Sequence, residues 1–265
     1  MLNLYQVITS IIIGIIEGIT EFLPISSTGH MIIASHYLQI ENNKIKILEI
    51  FIQFGSTLST LYFFRHTIFN IIKHTKTKKK TKNIHIILSI LPTILFGLIF
   101  YHQIKQLFYL ENVIFSLILG GIFLIFSEIF QPKKHTIDHI KNISLRQAII
   151  IGLFQIFSLY PGFSRSGSTI ATAILLGIKK SVAIEFSFII SIPLLIGASF
   201  FELLNNIANI KISDIPILFI GCLISFLVSF LCIRCLLKIL NKTSLIFFGI
   251  YRLIISGLIY FVIKN

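Results

Sequence analysis

The sequence contains little charge, and this shortage narrows the class of protein. Charged residues make up 12% of the 265 positions, whereas about a quarter of the residues in a soluble globular domain are charged. Apolar residues make up 55% of the chain. This composition excludes an ordinary soluble domain and indicates an integral membrane protein.

Cysteine is also scarce, and the N-terminus lacks basic residues. The three cysteines Cys222, Cys232 and Cys235 share one apolar segment. Cys232 and Cys235 have the spacing of a redox pair. However, the total number of cysteines is odd and their surroundings are apolar, which favours a packing role. Residues 1–6 contain no Lys or Arg, so the N-terminus is not predicted to be a cleaved signal peptide.

Six long apolar runs each match the ~20 residues that a helix needs to cross a bilayer. They lie near residues 47–64, 84–101, 113–130, 183–201, 215–237 and 244–263. The net charge of +13 does not indicate a nucleic acid partner, because the basic residues lie between the apolar runs, as they do in cytoplasmic loops. We therefore predict an all-α polytopic membrane protein surrounded by membrane lipids.

Two further apolar segments, residues 4–38 and 147–177, are interrupted by polar residues, glycine and proline. The interruptions read Glu17-Gly-Ile-Thr-Glu-Phe-Leu-Pro-Ile-Ser-Ser-Thr-Gly-His30 and Pro161-Gly-Phe-Ser-Arg-Ser-Gly-Ser-Thr169. Non-helical backbone survives at membrane depth only where protein or a wet cavity satisfies its polar groups. Each segment therefore predicts a re-entrant hairpin of two half-helices.

The two interrupted segments resemble each other. A shift of 138 residues places Gly14 on Gly152, Ser26 on Ser164 and Gly29 on Gly167, while Glu17 meets Gln155. Chance similarity between isoleucine-rich stretches is the alternative. The matched polar positions favour an inverted-topology repeat (residues 1–130 and 144–265) within one integral membrane domain spanning 1–265. Each half would contain a re-entrant helical hairpin plus three transmembrane helices.

Loop charge predicts the orientation in the membrane. Six lysines between Lys73 and Lys82 form the strongest cytoplasmic signal in the chain, since cytoplasmic loops carry an excess of Lys and Arg. Counting spans from this loop places residues 131–146 inside and residues 102–112 and 204–214 outside. The first hairpin then enters from outside and the second from inside, so that their tips meet near the midplane.

The first tip carries two acidic residues and a run of hydroxyls. Glu17 and Glu21 are four residues apart, hence on one helix face. Carboxylates inside a membrane are costly and by default functional, and two close ones share a proton or bind a divalent cation. A polar pair that only packs helices is the alternative.

Ser26, Ser27 and Thr28 stand where a half-helix is expected to begin. One hydroxyl would serve as an N-cap, and three exceed that need. A helix N-terminus also favours an anion. His30 lies three residues after Ser27, so we expect both to face one cavity, with His30 as a candidate acid or base.

The second tip places Arg165 among hydroxyls, between Gly162 and Gly167. An arginine at membrane depth needs an anionic partner, and a guanidinium matches phosphate oxygens in bidentate fashion. A purely structural Arg–Glu bridge between the tips is the alternative. The predicted phosphate-binding residues are Ser26, Thr28, Ser164, Arg165, Ser166 and Thr169.

These motifs resemble those of the undecaprenyl-diphosphate phosphatases, also called the bacitracin-resistance family. The stretches from Glu17 to His30 and from Pro161 to Thr169 are similar to the two family signatures, and residues 48–56 and 185–188 to further family stretches. The resemblance implies hydrolysis of undecaprenyl diphosphate to the monophosphate that peptidoglycan synthesis reuses. It also implies a bacterial inner-membrane location.

The same resemblance implies a divalent cation, magnesium or calcium, near Glu17 and Glu21. It implies catalytic roles for Glu17, Glu21, Ser27, His30 and Arg165, while Ser27 either attacks phosphorus or only positions the phosphate. The oligomeric state stays open.

Two other functions compete with this prediction. A prenyl-phosphate transporter would also use an inverted repeat with broken helices, but it would not need the cluster of acids, serine and histidine. The acid-phosphatase-like lipid phosphatases share the serine–arginine pair. They also need a His and an Asp soon after the arginine, and residues 166–180 contain neither.

Overall fold

The computed structural model describes residues 4–40, 42–73 and 83–264, and it is helical almost throughout. The helices, numbered here in chain order, are α1 Leu4–Thr20, α2 Ser27–Tyr37, α3 Asn42–Lys73, α4 Asn83–Ile99, α5 Tyr101–Lys105, α6 Leu110–Ile129, α7 Leu145–Gln155, α8 Arg165–Leu175, α9 Lys180–Asn206, α10 Ile215–Lys242 and α11 Leu245–Lys264. Within the described residues, strand pairing is limited to one bridge between Ile137 and Ile178.

Five of these helices are long and apolar enough to cross a membrane. The spans are Lys46–Phe69, Leu110–Ile129, Lys180–Asn206, Ile212–Lys242 and Leu245–Val262. The prediction of an all-α polytopic membrane protein is confirmed. The expected sixth span, 84–101, is shorter than predicted: α4 has 17 residues and rises about 26 Å, because the helix breaks at Phe100 before α5 begins.

Two broken elements stand where hairpins were predicted. In the first, α1 and α2 return to the same end of the molecule, where the Tyr5 hydroxyl donates a hydrogen bond to the Leu38 carbonyl. Ser10 donates to the Ile217 carbonyl at 2.9 Å, so this end also holds the start of α10.

The second hairpin, α7 and α8, opens at the other end. There Gln147 donates to the Leu176 carbonyl at 3.1 Å, and Lys180, which follows α8 closely, donates to the carbonyl of Thr243 at the far end of α10. The two hairpins therefore enter the molecule from opposite ends.

The turns that begin α2 and α8 share one local geometry. Ser26 and Ser164 are N-caps with φ of 72° and 77°, and each hydroxyl accepts a hydrogen bond from a glycine amide, at 3.2 Å from Gly29 and 3.1 Å from Gly167. A shared strained cap at matched positions supports the predicted repeat of 1–130 and 144–265. The repeat itself stays a prediction.

Glycines allow the first hairpin to pack closely on its neighbours. A Cβ on Gly14 would lie 2.9 Å from the Gly221 carbonyl oxygen, and one on Gly18 would lie 2.8 Å from the side chain of Val228. Close packing of α1 along α10 through small residues is typical of membrane helices. It keeps the acidic end of α1 deep in the protein.

Candidate active site

The tips of the two hairpins touch. A Cβ on Gly29 would lie 3.4 Å from the Cα of Gly162. Gly162 has φ of 103°, and a Cβ there would lie 2.1 Å from the Ser116 hydroxyl and 2.8 Å from the Val113 carbonyl oxygen. Only glycine fits this backbone, so the close approach of the tips depends on it.

The contact between the tips joins the predicted arginine, an acid and a serine. One Arg165 guanidinium nitrogen, Nη2, lies 2.5 Å from Glu21 Oε1, with both side chains mostly buried. The other oxygen, Oε2, accepts a hydrogen bond of 2.6 Å from the Ser27 hydroxyl. Glu21 follows the last residue of α1, and its amide still bonds to the Glu17 carbonyl at 3.0 Å. The carboxylate thus links both hairpins.

Glu17 lies beneath this contact and is fully buried. Its Oε1 accepts a hydrogen bond of 3.0 Å from Ser56 on α3, and its Oε2 has no hydrogen-bond partner. It interacts electrostatically with Glu21 and with Glu49, a third carboxylate on α3. Glu49 is also buried, with an unpartnered Oε1. Sequence reasoning missed Glu49, although an acid inside an apolar run was a usable signal.

A cavity of about 500 Å³ lies against the tips, and Glu21 and Ser27 face it. Both half-helices point their N-termini at this space, which favours an anion. Of the predicted phosphate-binding residues, those on the cavity wall are Ser26, Thr28, Ser164, Arg165 and Ser166.

Thr169 does not line the cavity. It is buried one turn below, where its hydroxyl lies 2.6 Å from that of Ser187 and 3.0 Å from the Arg165 carbonyl oxygen. Arg165 also donates from Nη1 to the Ser187 carbonyl at 3.2 Å. Thr169 therefore stabilises the position of Arg165 through its backbone and through Ser187, and it is not placed to contact a ligand in the cavity.

His30 does not line the cavity either. Its Nδ1 lies 2.7 Å from the Ser26 carbonyl oxygen and its Nε2 lies 2.8 Å from the Tyr251 hydroxyl. The expectation that His30 and Ser27 face one cavity is not met, because both ring nitrogens are engaged elsewhere, one of them with Tyr251 of α11. The geometry places His30 in contact with the Ser26 cap, one residue from the cluster.

Arg252 is a second buried arginine, and sequence reasoning did not single it out. It is fully buried and donates to the carbonyls of Gly162 at 2.6 Å, Phe163 at 2.9 Å and Ser116 at 3.2 Å. The bonds to Gly162 and Phe163 satisfy carbonyls of the non-helical tip, which need partners at membrane depth, and the bond to Ser116 ties the same guanidinium to α6. An arginine inside the apolar run 244–263 was the signal that could have found it.

The fold and the site together define an integral membrane protein with a cavity where two broken helical hairpins meet, lined by an arginine, acidic residues and hydroxyls. Comparison with known proteins identifies it further. The model of the family described as bacitracin resistance protein BacA matches residues 10–258, and the chain belongs to this family. The resemblance inferred from the two motifs is confirmed.

Two relatives show how far the similarity extends. An undecaprenyl-diphosphatase of Buchnera aphidicola subsp. Acyrthosiphon pisum (strain Tuc7) is 70% identical over 264 residues, which cover 99% of this chain and 100% of that protein. An undecaprenyl-diphosphatase of Buchnera aphidicola subsp. Schizaphis graminum (strain Sg) is 56% identical over the same shares. The transporter alternative gains no support from these relatives.

Proposed function

We propose that this chain is a membrane hydrolase that converts undecaprenyl diphosphate to undecaprenyl phosphate and phosphate. This reaction recycles the lipid carrier of cell-wall synthesis and confers resistance to bacitracin. The observation that carries the proposal is the contact of Arg165 with Glu21, and of Glu21 with Ser27, on the wall of a cavity. Full-length similarity to two undecaprenyl-diphosphatases supports the lipid substrate.

The side chains on the wall have complementary tasks in this reaction. Arg165 and the N-termini of α2 and α8 hold the terminal phosphate and stabilise the negative charge that develops on its oxygens. Glu21 accepts the Ser27 hydroxyl proton in its hydrogen bond, so it is placed to take that proton. Ser27 then either attacks phosphorus, forming a phosphoserine that a water molecule hydrolyses in a second step, or only orients the phosphate for direct attack by water. In either case the bond between the terminal phosphorus and the bridging oxygen breaks, undecaprenyl phosphate leaves, and inorganic phosphate is released.

We also propose that a divalent cation, magnesium or calcium, is held by Glu17 and Glu21. Within the described residues no group of three or more His, Cys, Asp or Glu side chains has metal-binding geometry. Nevertheless, the buried Glu17 Oε2 lacks any partner, and hard cations prefer carboxylate oxygens. When bound, the cation would neutralise phosphate charge as a Lewis acid.

Phosphate release tests the proposed reaction. The purified protein in detergent should release phosphate from undecaprenyl diphosphate, and it should act more slowly on farnesyl diphosphate, because a shorter chain buries less apolar surface. A chelator should abolish release, and added magnesium or calcium should restore it. Detergent removes any contribution from transport. If neither lipid released phosphate, the proposed function would be contradicted. If the chelator left activity unchanged, the proposed role of the cation would be contradicted.

We propose that the cavity opens to the periplasmic side of a bacterial inner membrane. Its lining includes Lys105, Phe108 and Glu202, in or beside the loops predicted to lie outside. The lysine-rich signal on which this orientation depends, 73–82, falls almost wholly outside the described residues.

Thiol labelling tests the orientation. Tyr37 and Gln39 are exposed where the first hairpin opens. In a background without the three native cysteines, Tyr37→Cys and Gln39→Cys variants should react with a membrane-impermeant reagent on intact spheroplasts. A matched Arg146→Cys variant, at the opposite end, should react only after the membrane is broken. The reverse labelling pattern would contradict the proposed orientation and indicate the opposite topology.

A further inference from the structure

We infer that the gap between α4 and α9, flanked by Gly97 and Gly197, is the exit through which the prenyl chain of a bound diphosphate passes from the cavity into the bilayer. The inference rests on the proposed function and identifies the part of the site that takes the lipid tail.

We infer the gap from two glycines on the cavity wall, one on each of the contacting helices α4 and α9. A Cβ on Gly197 would have no heavy atom within 4 Å, and one on Gly97 would meet only Leu159, at 3.6 Å. Both glycines line the cavity, and Gly197 is exposed. Each glycine therefore leaves room for a ligand group beside the cavity.

The surfaces beside the glycines are apolar and accessible. On α4, Ile94 and Leu98 line the cavity and are 37% and 51% exposed. On α9, Leu194 and Leu195 line it as well. A hydrocarbon chain gains free energy on such a surface, whereas a diphosphate would lose its hydrogen bonds there. The gap thus matches the tail and excludes the headgroup.

A set of contacts links Tyr101 and Lys105 of α5 to the C-terminal part of α9. Lys105 lies 3.8 Å from Glu202 and 4.3 Å from the centre of the Tyr101 ring. The Tyr101 ring in turn packs edge-on against Phe201, with 5.2 Å between ring centres. These contacts join α5 to α9 beyond the glycines. A chain that leaves between α4 and α9 must therefore pass beneath them, sideways into the lipid.

The distance between Arg165, which holds the phosphate in the proposed function, and the gap suits a prenyl chain. Arg165 is bonded to the Ser187 carbonyl on α9, and Gly197 lies further along the same helix. The rise from Ser187 to Gly197 is about 15 Å. The first isoprene units of a substrate whose phosphate is held by Arg165 span this distance.

A larger side chain in the gap should lower the activity on long substrates more than that on short ones. In detergent, Gly197→Leu should lower kcat/KM for undecaprenyl diphosphate by about tenfold or more, as expected when an apolar pocket no longer accommodates its ligand. The loss on isopentenyl diphosphate, whose single unit ends before the gap, should be much smaller. The variant should fold, since leucine is a better helix former than glycine and the added Cβ would have no heavy atom within 4 Å.

The matched control is Gly257→Leu on α11. A Cβ there also has no heavy atom within 4 Å, and Gly257 does not line the cavity. This control should hydrolyse undecaprenyl diphosphate at the wild-type rate. Equal losses on both substrates in Gly197→Leu, or no loss on the long one, would overturn the inference.

A second measurement does not depend on turnover. In a background without native cysteines, undecaprenyl phosphate should slow maleimide labelling of a Gly197→Cys variant, but not that of a Gly257→Cys variant. Equal labelling with and without the lipid would overturn the exit. If the wild-type protein released no phosphate, the proposed function would fail, while the labelling would still show whether the chain occupies the gap.

Discussion

Arg165→Ala should reduce phosphate release by at least about 10³-fold, the range seen when an arginine that stabilises a phosphoryl transition state is removed. Arg165 is the guanidinium that the second tip brings to the cavity wall. Arg165→Lys should fail badly as well, because an ammonium cannot reproduce bidentate contact with phosphate oxygens. The measurement is turnover of undecaprenyl diphosphate by protein that remains folded in the membrane.

The ion pair of Arg165 with Glu21 makes it necessary to separate catalysis from folding. Removing one partner of a buried pair destabilises a protein by leaving the other charge uncompensated, whereas replacing both is often neutral. The double variant Arg165→Met/Glu21→Gln should therefore recover thermal stability relative to Arg165→Met without recovering turnover. Arg146→Ala, which removes an exposed arginine, is the control. Near-normal activity of Arg165→Lys would contradict the role of Arg165 in binding phosphate and would favour a purely structural bridge to Glu21.

Glu21→Gln should lower turnover by about 10²-fold or more, the usual contribution of a group that accepts or donates a proton. The amide keeps the size of the side chain but cannot take the Ser27 proton or pair with Arg165 as an anion. Glu17→Gln should also lower turnover and weaken the dependence on the divalent cation, because it removes the buried oxygen that has no partner. Rates at several magnesium concentrations measure both effects.

The carboxylate variants need a control of the same chemistry. Glu111→Gln removes an exposed carboxylate in the first turn of α6, away from the cavity wall. It should leave turnover unchanged. If either Glu17→Gln or Glu21→Gln kept the full rate and the full metal dependence, that residue would have no part in the proposed acid pair.

The sequence by itself determined the features that depend on local composition. Apolar runs predicted the long helices, since the length of a membrane span follows from hydropathy alone. The breaks around Pro24 and Pro161 predicted the two hairpins, because polar and helix-breaking residues at membrane depth must be enclosed by protein. The polar residues of the same motifs identified Glu21, Ser27 and Arg165 as candidate site residues, and these motifs also carried the resemblance to the family.

Only the tertiary structure decided which of these residues meet. Glu21 and Arg165 come from hairpins that enter at opposite ends, and their contact depends on the approach of Gly29 to Gly162. Hydropathy also continued past Ile99, where the backbone of α4 breaks. Hydropathy reports where apolar residues lie, not where hydrogen bonds between successive turns stop.

The direction in which each polar side chain points was likewise a tertiary outcome. His30 has the spacing to face Ser27, yet it turns to Tyr251 on a helix more than 200 residues later in the chain. Arg252 lies inside an apolar run, and its hydrogen-bond partners come from distant segments. Glu49 lies inside another, and its neighbour Glu17 comes from α1. Packing between helices of similar apolar surface is decided by shape and by hydrogen bonds across the interface. A pattern along one helix does not contain that information.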